Sequence, residues 1–353
     1  MNVYSNNFKL KIVDPMTFIN WNSMIQNSSD EYTIFHTSNW SSVLSDSYGF
    51  RACYFAIIEG DHFIFLLPMM EVHNFLFGKK GICLPFTDYC NPIINSKVEL
   101  NDLLPQILST AQGYNWKSIQ IKDKSVSLGI NPASSYYYRH TLVLQGGEEA
   151  VFKKFKENYQ RKIKKASKQN KVNVSISKSF QALEDYYQLH CLTRKRQGMP
   201  PQPFSYFNNV YTHIIEKNLG FISLASIDNE RIAGAVFFHF GGKAVYKYSA
   251  SNLRYKSFNA NYLVIWEAVR WLCGLGCTEL CFGRTDPLHE GLIQFKGGWG
   301  TERHQINYYK YNVQKEMFIQ GEQKGNPPGH SLLTVLPVSV LKMLGSMIYR
   351  YSA

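Results

Sequence analysis

Two stretches, "FISLASIDNERIAGAVFFHFGGKAVYKYSAS" (221–251) and "NYLVIWEAVRWLCGLGCTELCFG" (261–283), decide the fold. The first reads as a strand, an acidic turn, a second strand and a third. The next reads as a helix, a glycine-rich turn and a strand. The first half of the chain holds the same plan. "ACYFAIIEGDHFIFLLPMMEV" (52–72) is strand, turn and strand, and "LNDLLPQILSTAQGYNWKSIQIK" (100–122) is helix then strand. The turn at Glu59-Gly60-Asp61 lies about 170 residues before Asp228-Asn229-Glu230, and Ile119 lies 161 before Leu280. Two features at similar offsets predict a duplicated unit. The expected fold is α/β, with mixed sheets flanked by helices, made twice.

A chain of 353 residues, 45% hydrophobic, suits two cores better than one. "LVLQGGEEA" (142–150) supplies the boundary, since Gly146-Gly147 follows an apolar strand and Glu148-Glu149 open the next helix at its positive end. The expected units are 1–145, 146–315 and a tail, 316–353, with an amphipathic helix. In that tail Leu336, Val340, Leu344 and Ile348, or alternatively Leu341, Met343 and Met347, give an apolar face. It docks on the protein or lies on a membrane surface.

The net charge of +12 favours an anionic partner. Residues 153–171 hold one acid, Glu157, among many lysines. Val151, Phe155, Tyr159, Ile163 and Ala166 predict one amphipathic basic helix over about 149–169. The seven cysteines show no CxxC pair and no zinc spacing, so no metal is expected, and buried thiols in a reducing cytoplasm are. The start lacks the apolar core of a signal peptide, and no apolar run is long enough to span a bilayer.

There is no nucleophile elbow and no Walker or Rossmann glycine pattern. The chemistry concentrates in "CFGRTDPLHEGLIQFKGGWG" (281–300). Lys296 beside Phe295 and Gly297-Gly298 suits stabilisation of a developing oxyanion; a lysine snorkelling from a strand edge is the plain alternative. Asp286 and Glu290 are the proton acceptors within the same stretch. Arg196 ends a helix stopped by Gly198, where it either complements the helix terminus or grips an anion. Tyr255, Asn259 and Asn261 precede a helix whose amides cap locally or hold a phosphate.

With these segments in order, the chain resembles the FemA/FemB/FemX-like peptidyltransferase branch of the GNAT acyltransferase superfamily. The segments are "FHTSNW" (35–40), "LPFTDYCNP" (84–92), "NYQRKIKKASK" (158–168), "KRQGMPPQPFSYF" (195–207), "NANYLVIWEAVRW" (259–271), "FGRTDP" (282–287) and "GLIQFKGGWG" (291–300). The resemblance covers about residues 1–312 and implies two tandem GNAT-like domains with the site in the second. It implies transfer of an acyl or aminoacyl group to an amine or hydroxyl of a cell-envelope precursor, a peptidoglycan peptide or a surface polysaccharide. The donor would be aminoacyl-tRNA or acyl-CoA, with no tightly bound cofactor. It implies that the Phe295-Lys296 pair takes part in the transfer, that Arg161 and Lys165 face phosphates, and that Arg284 and Asp286 line the pocket. Read from the residues themselves, Asp286 is a catalytic candidate and Arg196, Tyr255, Asn261 and Trp299 are substrate-binding candidates. The work would be done in the cytoplasm, at the inner face of the membrane if the tail helix makes peripheral contact. Characterised members carry a long helical arm in the second domain; residues 171–221 leave space for short helices, which weakens the tRNA reading. An acyl-CoA-dependent transferase of exopolysaccharide synthesis is the rival. A non-catalytic RNA- or membrane-binding protein is the rival from another class.

Overall fold

The computed structural model describes residues 9–74, 78–123, 133–168, 171–321 and 332–351. Both hairpins form. Tyr54–Glu59 pairs with His62–Leu67 across Gly60, and Gly220–Ile227 pairs with Glu230–Phe240 across Asp228 and Asn229. Gly60, Asp228 and Asn229 all take positive φ, the backbone that tight turns demand. Both helix–strand units form as well: Leu100–Gly113 leads to Trp116–Asp123, and Ala260–Gly274 to Glu279–Thr285. Each of these strands runs parallel to an earlier neighbour, Gly78–Ile82 in the first half and Lys243–Ser251 in the second. The duplication read from the offsets is present in the topology.

The expectation of one central sheet in each half is corrected. A 12-stranded sheet runs through both halves, while the first hairpin sits in a separate four-stranded sheet. The joint is the closing strand, Glu302–Asn312, which lies antiparallel between Trp116–Asp123 and Ser135–Val143. Ser135–Val143 then pairs on its other side with Glu279–Thr285. So the last strand of the first half has both its ladder partners in the second half. Alternation reports which face of a strand is buried; it carries no label for the sheet that receives it.

The single basic helix is also corrected. Gly147–Lys154 and Glu157–Lys168 are two helices, with Phe155 extended between them. All five apolar positions predicted for it are buried, and Gln169 lies outside the described residues. The break accommodates the glycine turn after Lys296. The Lys156 amide donates to the Gly298 carbonyl at 2.9 Å. A Cβ on Gly298 would sit 2.1 Å from the Tyr159 ring, and one on Gly300 2.4 Å from the Lys154 carbonyl oxygen. These glycines are required by close approach.

Gly300 also has φ +70. Gly300→Ala is therefore expected to cost about 2 kcal/mol or more, because backbone cannot yield as a side-chain tip does. Urea unfolding monitored by tryptophan fluorescence reads this, and Gly297→Ala, with open space around its Cβ position, is the control.

Candidate active site

The parallel strands Lys243–Ser251 and Glu279–Thr285 stay paired for three residues, ending at Val245 and Cys281. Both then bulge. On the first, Phe237 faces Tyr246 and Val236 faces Tyr248, so Lys247 is the extra residue. On the second, Cys281 faces Thr141 and Arg284 faces Arg139, leaving Phe282 and Gly283 opposite His140 alone. Gly283 has φ +70, which admits the bulge at little cost. Bulges re-aim side chains and part strands; here they open a wedge in the middle of the sheet.

Polar groups fill the wedge. The Lys247 ammonium reaches the Asp88 carboxylate at 2.7 Å and donates to the Phe86 carbonyl at 2.8 Å. Lys122 donates to the Leu84 and Thr87 carbonyls at 2.9 Å each. Lys296 donates to the Gly283 and Arg284 carbonyls, both at 3.1 Å. Arg284 lies over the Tyr137 ring, 4.2 Å from its centroid, donates to the Tyr308 hydroxyl at 3.1 Å, and is open to solvent.

Burial pulls the Lys296 and Lys122 ammoniums down to about 8, and Lys247 below its ordinary value. Asp88 behaves oppositely. Burial pushes its carboxyl up, but Lys247, Arg284 and Lys296 together outweigh this and hold it below the usual range. His140, buried on the closing-strand side of Lys296, falls to about 4 through burial and the Lys296 charge, so it is neutral.

Lys296 stands on a short helix, Glu290–Gly297. The lysine is 5% exposed, which removes the snorkelling alternative. Neighbouring residues on a helix diverge by about 100°. Phe295 accordingly faces a cavity on one side of the sheet while Lys296 enters the wedge. That cavity, about 350 Å³, is lined by Lys162, Arg196, Lys256, Tyr255, Asn261 and Tyr262 around Phe295. Lys162 donates to the Tyr262 hydroxyl at 2.8 Å, and Arg196 to the Ser251 carbonyl at 3.0 Å. A second cavity, about 560 Å³, lies on the opposite side between the halves, with Arg139, Glu279, Lys243, Tyr89, Arg303 and Glu31 in its wall. Arg139 pairs with Glu279 at 3.1 Å and stacks over Tyr89.

Of the ten residues named from the sequence, Arg196, Tyr255, Asn261 and Phe295 meet at one cavity, and Lys296 and Arg284 meet at the wedge. Arg161 and Lys165 point to solvent; Lys162, between them, holds the inward position. Trp299 is fully buried, packed on Tyr262, Phe282 and Phe155, and supports the cavity from behind. Asp286 accepts from the Leu288 amide at 2.9 Å and shapes the turn that starts the lysine helix. Lys247, Lys122 and Asp88 were missed. The one signal for Lys247 was its place among the apolar residues of a strand whose alternate positions turn inward.

Residues 153–297 match the family model described as the acetyltransferase (GNAT) domain. FemX has the same fold: 14% identity over 85% of this chain and 96% of that one, TM-score 0.68. A tandem GNAT protein from the clavulanic acid biosynthesis pathway aligns over 86% of this chain and 99% of its own at 6% identity, TM-score 0.53. A C-terminal domain ascribed to a lysylphosphatidylglycerol synthetase of Agrobacterium fabrum aligns over 76% and 86% at 10%, TM-score 0.50. No curated protein sequence matches the chain significantly. The match makes residues 153–297 an acetyltransferase-type (GNAT) domain. The chain as a whole has a fold like that of FemX and of a tandem GNAT protein.

The lowered lysines make stability depend on pH. Lys122 and Lys296 have folded values near 8 against 10.5 ordinarily. Their charged burial opposes folding in full below about pH 8, and the penalty fades as pH rises toward 10.5. At about 1.4 kcal/mol per unit, Lys122→Met should lose up to roughly 3 kcal/mol relative to wild type between pH 7.5 and 10. Urea midpoints for both proteins across that range test it; a pH-independent difference would show that Lys122 is not desolvated.

Proposed function

We propose that the protein transfers an acyl or aminoacyl group to an amine or hydroxyl of an anionic cell-envelope precursor, without a covalent enzyme intermediate. The observation that carries this is the pairing of Phe295 and Lys296 on one helical turn, Phe295 in a cavity wall and Lys296 in the wedge. The likeness of fold to FemX and the GNAT family match support the same class.

The cavity at Phe295 receives the reactive end of the donor. Lys162, Arg196 and Lys256 on its rim suit the phosphates of a nucleotide-bearing carrier. The acceptor enters from the side of the cavity between the halves, whose wall holds Arg139 and Arg303, and Arg284, exposed at the wedge, faces its anionic groups. The acceptor's nitrogen or oxygen attacks the acyl carbonyl, and its carbon–oxygen double bond becomes an oxyanion. The Lys296 ammonium spends two of its three protons on backbone carbonyls and directs the third at that oxyanion. Collapse expels the carrier, which takes up the proton released by the attacking group. Asp286, engaged with its own turn, is a positioning residue, and Lys296 is the catalytic one.

Two donors fit this chemistry. Aminoacyl-tRNA is the one that the family resemblance of the sequence implies. Acyl-CoA is the second, favoured by the GNAT match over 153–297. Calorimetry with each separates them, since a basic rim alone binds either with steep salt dependence while a donor site distinguishes the acylated from the free carrier.

Lys296→Met should lower kcat by about 100-fold or more with KM little changed, and wild-type kcat should fall as pH rises through about 8, where the ammonium is lost. Arg284→Gln should instead raise the acceptor KM. Unchanged transfer in Lys296→Met would sink the catalytic role.

A further inference from the structure

The C-terminal helix, Val338–Ile348, has two unlike faces. One is locked to the protein. Leu341 is fully buried, and a Cβ on Gly345 would lie 2.0 Å from the Pro201 carbonyl oxygen. Just beyond the helix, Tyr349 donates to the Pro200 carbonyl at 3.2 Å and accepts from Arg194 at 2.8 Å. The other face carries Met343 and Met347, 58% and 62% exposed, with Ile348 and Tyr351 also exposed beyond them. The segment it docks on, the end of helix Phe180–Arg196 and its turn, adds exposed Leu192 and Met199. So many large apolar side chains on two touching elements exceed the scatter of single exposed residues normal on a surface.

The charges around this face have one sign. Between 332 and 351 the only charged side chains are Lys342 and Arg350, both exposed, and Arg194, Lys195 and Arg196 close the neighbouring helix. An apolar stripe edged by cations, on a chain of net charge +12, fits a surface that is apolar inside and anionic at its head groups. A second copy of the chain fits worse, since a two-fold contact would bring Lys342 and Arg350 against their own equivalents.

We infer that this face docks on an anionic phospholipid bilayer, with Met343 and Met347 entering the interface and Lys342 and Arg350 meeting the head groups. The inference deepens the proposed function and rests on its reading of the acceptor as an anionic cell-envelope precursor. Leu192 and Arg196 stand one turn apart on the same helix, and Arg196 is on the rim of the Phe295 cavity. Docking therefore brings the cavity rim beside the lipid surface, within reach of a precursor anchored there. The helix lies on the membrane: among the described residues no helix is long and apolar enough to cross one.

The test is co-flotation of the full chain with phosphatidylcholine vesicles, with and without phosphatidylglycerol. Binding is expected with the anionic vesicles and weak without them. Partitioning should fall about tenfold in Met343→Ser/Met347→Ser and, separately, in Lys342→Gln/Arg350→Gln, with thermal unfolding unchanged in both. Partitioning equal to wild type in both double variants, or no binding to anionic vesicles, overturns the inference. So does a dimer in analytical ultracentrifugation that Met343→Ser/Met347→Ser dissociates, which would make the face a self-contact. Transfer to a water-soluble acceptor should survive in Met343→Ser/Met347→Ser. Its absence in the wild type, with vesicle binding intact, would count against the proposed function and leave the docking standing.

Discussion

Three buried lysines hold the centre of the molecule by giving their protons to backbone. Lys122 and Lys247 reach the carbonyls of Leu84, Phe86 and Thr87, and Lys296 those of Gly283 and Arg284. The loop they grip needs the help. Leu84 and Phe86 take φ of 41 and 57, which non-glycine residues adopt only when their surroundings impose it. One gripping lysine comes from a strand of the first half and another from a strand of the second, both in the shared sheet. Strain in the loop, the wedge between the bulged strands and the juxtaposition of the halves are therefore one arrangement. Asp88 pairs with Lys247 and offsets part of the charge of Lys247, Arg284 and Lys296.

That excess of positive charge is costly to bury and useful at a site where negative charge develops. Lys296 is buried, so in the proposed reaction its ammonium would meet an oxyanion with little screening by water. The aromatic lining serves the same end. Tyr137 and Tyr308 hold the Arg284 guanidinium flat against the sheet while leaving its edge open. Trp299, Tyr262 and Phe155 form the rigid backing against which Phe295 and the lysine helix are set.

The sequence was most legible where a pattern is local. Hairpin turns, helix periods and the Gly198 stop are written within a few residues, and they appeared where expected. Phe295 and Lys296 stood out as an aromatic–lysine pair followed by glycines, and the family resemblance drew the reading to Lys296. Lys162 lines the Phe295 cavity while Arg161 and Lys165 are exposed, and a run of basic residues over one turn gives no clue which one tilts inward. Lys122, Lys247 and Asp88 were invisible for a different reason. A buried lysine differs from a surface lysine only through partners that arrive from distant parts of the chain, here from residues 84–88. The sheet that merges both halves was hidden likewise, because pairing depends on which strand edge remains free.

The position of the closing strand also governs how the chain can be built on a ribosome. Strand Ser135–Val143 has its two neighbours at 279–285 and 302–312, so when the first half emerges that strand has no ladder to join. Trp116–Asp123 likewise waits with one edge bare. The gap closes only after residue 312 has left the exit tunnel. Until then two apolar edges stand open to other nascent chains. The tyrosine-rich run Tyr136-Tyr137-Tyr138, with Arg139 and His140 behind it, guards one of them with polar tips and charge while it waits.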